Sequence, residues 1–186
     1  MKTPVLLLSV LIGSSLPLIA ADSNAPDILP LGTFQPASSW RFSNGAEFAG
    51  AKGSLTFRAT TSGDESALSF DFSGGGAYVS ASTPITITDD YAELRVRVKS
   101  TKNMKLAFRI NDYTGQCHQI PVSYDRAGEW QTIRYDLKAH RPGQHWGGVN
   151  DGVLNFPLTS FTIVVPNPKT EMPTGILLFS DAKALR

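Results

Sequence analysis

The segment Gln144-His145-Trp146-Gly147-Gly148-Val149-Asn150-Asp151-Gly152 gathers an indole, an imidazole, two side-chain amides and a carboxylate. Indole and phenol rings offer flat apolar faces on which the C–H face of a sugar can lie. Amides, carboxylates and guanidinium forks pair with hydroxyls in the ring plane. A Trp in a polar, Gly-rich loop, away from any regular apolar strand position, therefore reads as a stacking surface, or else as an indole folded back to plug the end of the domain. Asp112-Tyr113-Thr114-Gly115-Gln116 is a second such segment and adds a phenol and another amide. Trp146 and Tyr113 are the candidate stacking rings. Arg109, Gln116, His145, Asn150 and Asp151 are the candidate polar contacts. Trp40 and Trp130 stand at strand starts, where a core or rim role fits better.

Other chemistries leave weaker traces. There is no Gly-x-Ser-x-Gly elbow. Ser73-Gly74-Gly75-Gly76 lacks the Gly-Lys-Ser/Thr ending of a phosphate loop and reads as a hairpin turn. His140 and His145 are a pair with no third zinc ligand at a defined spacing. His118 alternates with Ile120 and Val122, as a hydrogen-bonded core or interface histidine would. The carboxylates Glu47, Asp71, Asp112, Glu129 and Asp151 show no spacing that marks a glycosidase pair. Cys117 is the one cysteine, so no internal disulfide forms, and a small apolar core role suits it. Tyr113, His118 or His145 acting with Arg109 would suit a small polysaccharide lyase or hydrolase. That enzyme is one alternative to a non-catalytic binding domain. A structural sandwich that docks a protein on its outward sheet face is another.

The elements that must position these residues are strands. Ala92–Lys99 alternates strictly, with Leu94, Val96 and Val98 to one side and Arg95, Arg97 and Lys99 to the other. Lys105–Asn111 does the same with Leu106, Phe108 and Ile110. A period of two means one buried and one wet face. Shorter runs at Ser54–Thr60, Ala67–Phe72, Ala77–Ala81, Trp130–Leu137, Phe161–Val165 and Gly175–Phe179 complete the set. No 3.6-residue apolar stripe occurs, and the 16 Gly and 12 Pro fall mostly between the runs. The expectation is an all-β fold, a two-sheet antiparallel β-sandwich of jelly-roll type, with a closed barrel as the rival. In a curved sandwich, Arg95, Arg97 and Arg109 would line one groove. The site then lies either on that sheet face or at the loop edge with Trp146 and Asn150.

Lys2, the apolar run Val5–Ile12 and the small residues ending at Ala20-Ala21 have the layout of a secretory signal peptide. The run falls short of the roughly 20 apolar residues that a membrane span needs. Residues 1–21 are therefore read as a cleaved signal, 22–38 as an extended leader and 39–186 as the domain. The protein is expected to be secreted or periplasmic, with no membrane attachment after cleavage. Lys2 is the one basic residue lost, which leaves the mature chain with equal numbers of basic and acidic residues. Nucleic-acid binding needs a surplus of Lys and Arg, so a neutral or polar ligand fits better.

Three stretches carry a family resemblance: Asn44–Gly53, the pair LRVRVKS and LAFRINDYTGQ read as a hairpin, and the ending Gly175–Leu185. Together they resemble the galactose-binding-like β-sandwich of carbohydrate-binding modules attached to bacterial secreted glycoside hydrolases. That resemblance implies carbohydrate as partner and a structural Ca²⁺ held by Glu47 and Asp181, with backbone carbonyls near Gly50–Gly53 completing its shell of six to eight oxygens. The ending at Arg186, directly after the last strand, reads as a free-standing module.

Overall fold

The computed structural model describes residues 28–35, 38–61, 63–141, 143–169 and 173–186. The segment read as a signal peptide, and residues 22–27, 36 and 37 of the leader, lie outside the described residues. Among the described residues twelve strands run in order: β1 (Ile28–Pro30), β2 (Arg41–Ser43), β3 (Lys52–Thr60), β4 (Gly63–Asp71), β5 (Tyr78–Ile87), β6 (Glu93–Lys99), β7 (Met104–Asp112), β8 (Cys117–Tyr124), β9 (Gln131–Asp136), β10 (Gln144–Trp146), β11 (Leu158–Pro166) and β12 (Thr174–Leu185). No helix occurs among the described residues. The first sheet has the order β3-β4-β12-β6-β9, with β1 also on β12, and the second has the order β10-β8-β7-β11-β5-β2. Every pairing is antiparallel. This is the expected two-sheet sandwich.

The core follows from alternation. Leu68, Leu94, Val96, Val98, Leu177 and Phe179 of the first sheet are fully buried against Val79, Phe108, Ile110, Phe161, Ile163 and Val165 of the second. Trp40 closes this core, as expected for a Trp at a strand start. It stacks on Phe34 with ring centroids 6.0 Å apart and meets Phe179 edge-on at 5.0 Å and Phe161 at 6.2 Å.

Four sequence expectations are changed or extended. LRVRVKS and LAFRINDYTGQ are not a hairpin: β6 pairs with β12 and β9, whereas β7 pairs with β11 and β8, so the chain crosses between sheets at residues 100–103. The row Arg95, Arg97 and Arg109 is split as a result. Arg97 lies over the Trp130 ring at 5.0 Å and Arg95 binds Glu93, both on the first sheet, while Arg109 is on the second. The extended leader, which shows no strand period in sequence, contributes a short strand, because Ile28–Pro30 pairs with Lys183–Leu185. The run that alternation ends at Phe179 continues six residues further, as the family resemblance implies, through a bulge between Ser180 and Lys183 where Asp181 takes φ of 50°. That extra residue breaks the alternation which marks a strand in sequence.

Phe179→Ala removes the ring that touches both Phe34 and Trp40. The expected loss is about 3–5 kcal/mol of stability, read as a lower urea midpoint with an unchanged denaturant slope.

Candidate functional site

The outer face of the second sheet is built by register. Arg109 stands opposite Gln119 on β8 and Thr162 on β11, Gln119 stands opposite Gln144, and Trp146 stands opposite Cys117. Directly paired residues share a face, so Arg109, Gln119, Gln144 and Trp146 all project outward. Tyr78, at the start of β5, does so as well.

These side chains meet. The Arg109 guanidinium lies 4.3 Å from the centroid of the Tyr78 ring and 5.4 Å from that of Trp146, a cation held between two aromatic faces. Its Nε donates to Gln119 Oε1 at 2.8 Å, and Gln119 Nε2 donates to Gln144 Oε1 at 2.8 Å. Tyr78 donates its hydroxyl to Glu47 Oε1. That bond, the backbone N–H of Glu47 itself and the Arg109 charge hold the Glu47 carboxyl below the usual range. Burial, together with the Glu47 partner, pushes the Tyr78 phenol up. Beside this row runs a groove of about 510 Å³, lined by Ala107, Val164 and Pro121 together with Phe48, Tyr78 and Arg109. Phe48 meets Tyr78 edge-on at 6.4 Å and is more than half exposed. Its loop is pinned at Gly50, where φ is +120° and an added Cβ would stand 2.1 Å from the Gly74 carbonyl oxygen.

Trp146 is therefore not in a flexible loop, as its sequence suggests, but in the short strand β10. The chain after it is latched from below. Asp112 is wholly buried and accepts from Thr114 N at 2.9 Å, Thr114 Oγ1 at 2.7 Å, Gln116 N at 3.0 Å and Asn155 Nδ2 at 3.1 Å. Burial raises its pKa, but the bonds from Thr114, Asn155 and Gln116 outweigh burial and hold it at about 2. Gln116, also buried, donates to Asp151 Oδ1 and to the Val153 carbonyl, both at 3.0 Å, and accepts from Gly152 N at 3.0 Å. Gly148 fits this latch only as glycine: its φ is +51°, and a Cβ there would come 2.4 Å from Gln116 N.

Of the residues read from sequence, Arg109 and Trp146 come together. Gln116 is wholly buried, so it is part of the latch and not a surface contact. Asp151 accepts from Gln116 and Val153 in the same latch. His145 and Asn150 bond one another, Nδ1 to Oδ1, at 2.8 Å. Tyr113 stands exposed on the β7–β8 turn. His118, its ring fully buried, faces the interior while Arg109 faces out, so those two members of an acid/base set lie on opposite faces of the sheet. Cys117, under Trp146, has its thiol pushed up to about 11 by burial, and Arg109 opposes this only in part.

Glu47 and Asp181 are not brought into one shell. Glu47 is bound to Tyr78 on the outer face of the second sheet, while Lys183 Nζ sits 3.1 and 2.9 Å from the two Asp181 oxygens on the first. This pair does not fit the Ca²⁺ shell expected of it. Sequence reading missed Tyr78 and Gln119 as site residues. Both sit in runs whose alternation was visible, Tyr78 ahead of buried Val79 and Gln119 between His118 and Ile120, but only the sheet order makes them neighbours.

No family model matches the sequence, and no curated protein matches it. Solved structures do. The family 11 carbohydrate-binding module from Clostridium thermocellum, in complex with a β-1,3-1,4-mixed-linked tetrasaccharide, superposes with a TM-score of 0.64 at 16% identity, over 87% of this chain and 96% of that one. An exo-β-agarase matches with a TM-score of 0.57 at 13% identity, over 84% of this chain but 25% of the enzyme. The chain has the two-sheet sandwich fold of carbohydrate-binding modules.

The Asp112 latch has a pH consequence. Its folded pKa lies below the unfolded value, so its stabilisation is complete above about pH 4 and is lost as pH falls toward 2. For this buried group the amount is roughly 2 kcal/mol. Asp112→Asn should lower the urea midpoint at pH 7 and flatten its decline between pH 4 and 2.5.

Proposed function

We propose that the outer face of the second sheet binds a polysaccharide or oligosaccharide without catalysing its cleavage. The observation that carries this reading is Arg109 held between the Tyr78 and Trp146 rings, with Gln119 and Gln144 in line beside it. Aromatic faces take the apolar sides of sugar rings. The amide and guanidinium edges take the hydroxyls between them. The fold supports the reading, since a similar structure is a carbohydrate-binding module in complex with a tetrasaccharide. A few rings on an open face give micromolar to millimolar affinity.

The test is a glycan array with the chain from Asp22 onward, followed by titration of any glycan that binds. Arg109→Ala, Tyr78→Ala and Trp146→Ala should each weaken binding by about 2 kcal/mol, roughly 30-fold, with unchanged thermal unfolding for the exposed Trp146 variant. Tyr113→Ala should leave affinity within about twofold, because Tyr113 lies outside this row. Binding that survives loss of both Arg109 and Trp146 removes the site from this face.

In the same proposal the protein is exported and residues 1–21 are cleaved as a signal peptide. Intact-mass analysis of the mature protein should find an N-terminus at Ala21 or Asp22. A mass that retains Met1–Ala20 refutes cleavage.

A further inference from the structure

The groove beside Arg109 adjoins a larger hollow. A cavity of about 1000 Å³ lies at the end of the sandwich where β4, β8 and β11 finish and β7 and β12 begin. It is lined from both sheets, by Phe70 and Gly175 of the first and by Met104, Lys105 and Ser123 of the second. Lys105, Ser123 and Pro166 line the 510 Å³ groove as well, so the two hollows meet at these three residues. Lys105 stands opposite Ser123, and its Nζ donates to Ser123 Oγ at 3.0 Å. Cavities of this size, with apolar walls and a few polar groups, are where proteins take small ligands.

Register sets the line along which the two hollows follow one another. Side chains on one face of a strand recur at every second residue. Arg109, Ala107 and Lys105 therefore succeed one another along β7, with Gln119, Pro121 and Ser123 beside them on β8. From Cys117, beneath Trp146, to Ser123 the strand covers roughly 20 Å, and the end cavity prolongs that path. Beyond Lys105 the lining keeps the mixed character of the aromatic row. Phe70 and Met104 offer apolar surface, and the exposed Asn103 and Asp125 offer polar groups. Asn103 Oδ1 accepts from Ala127 N at 2.9 Å. Among the described residues, neither the amide N–H groups of Asn103 nor the Asp125 carboxylate has a partner. Water serves them in the free protein, and ligand hydroxyls can take its place.

We propose that one linear sugar chain lies lengthwise along β7 and β8, from Trp146 past Lys105 into the end cavity. The cavity is then a further sugar-binding subsite, with Lys105 at its entrance and Asn103 and Asp125 as its hydrogen-bonding groups. This subsite rests on the sugar-binding reading of the outer face and adds a direction and a length to it. Continuity names the occupant: whatever follows the groove past Lys105 enters the cavity without leaving the sheet. A chain laid across the strands from Arg109 would instead pass Thr162 and Ser82, which line neither hollow. The ligand is accordingly a long oligomer or an inner stretch of polysaccharide, and affinity keeps rising with chain length after the aromatic row is filled.

The probe is a ladder from dimer to octamer, cut from the polysaccharide with the strongest array signal and titrated by calorimetry into the chain from Asp22 onward. Affinity should rise roughly tenfold between the shortest oligomer that binds and the octamer. Asp125→Ala should weaken octamer binding roughly fivefold, the loss of one hydrogen-bonded contact, and leave the shortest binder within about twofold. Adding Asn103→Asp, which keeps the acceptor for Ala127 N but removes the amide N–H groups, should weaken the octamer further. Trp146→Ala should weaken both lengths. If Trp146→Ala weakens binding but affinity stops rising at the shortest binder, or the Asp125→Ala/Asn103→Asp variant binds the octamer unchanged, the lengthwise path is overturned and the sugar-binding face stands. Binding indifferent to Trp146→Ala, or no glycan bound at all, overturns the face and the path together.

Discussion

The register of β8 is the constraint from which the rest of the site follows. Its alternation sends Cys117 and Gln119 to the outer face and His118 and Ile120 to the interior. Pairing with β7 then sets Gln119 beside Arg109, and pairing with β10 sets Cys117 beneath Trp146. A slip of one residue would turn the amide inward and bury its two hydrogen bonds without partners, while exposing His118. Two chemically different surfaces, one of aromatic and amide groups and one that carries His118 and Ile120, are thus back to back on a single strand.

That register has to be fixed at its open end, because β10 is three residues long and borders the sheet. The Asp112 carboxylate fixes it. A buried charge is tolerable only when several donors converge on it, and here backbone and side-chain N–H groups from the β7–β8 turn and from Asn155 do so. Gln116 extends the grip to Asp151, Gly152 and Val153. Asp151 and Asn155 of the 147–155 segment face this latch, which explains how a loop rich in glycine and amides holds an indole steady.

Much of the fold was legible because burial on one face writes a period of two into sequence. Leu94, Val96 and Val98, or Leu106, Phe108 and Ile110, needed nothing more. Where the period breaks, alternation stops marking the strand: Asp181 adds a residue at the β12 bulge, and beyond it only the family resemblance carried the strand to Leu185. The candidate site was half legible. Trp146 and Arg109 were marked by their chemistry, yet Arg109 was grouped with Arg95 and Arg97, since adjacent alternating runs suggest a hairpin and nothing in composition signals a crossover between sheets. Tyr78 is 31 residues before Arg109 in sequence, and their contact exists only because β11 lies between β5 and β7. Gln116 and Asp151 stood out in sequence as polar groups, but their partners are one another and the backbone, and Asn150 bonds His145.

The close approach at Gly50 divides the β2–β3 loop into a part that must be kept and a part that is free. Backbone meets backbone there, so that residue and its Gly74 neighbour are fixed by space alone. Phe48, two positions earlier, lines the groove with its side chain largely in solvent. Exchanging it alters what the groove meets without disturbing the hinge that carries it. In evolutionary terms this is a position where recognition can diverge between related proteins while the scaffold stays the same.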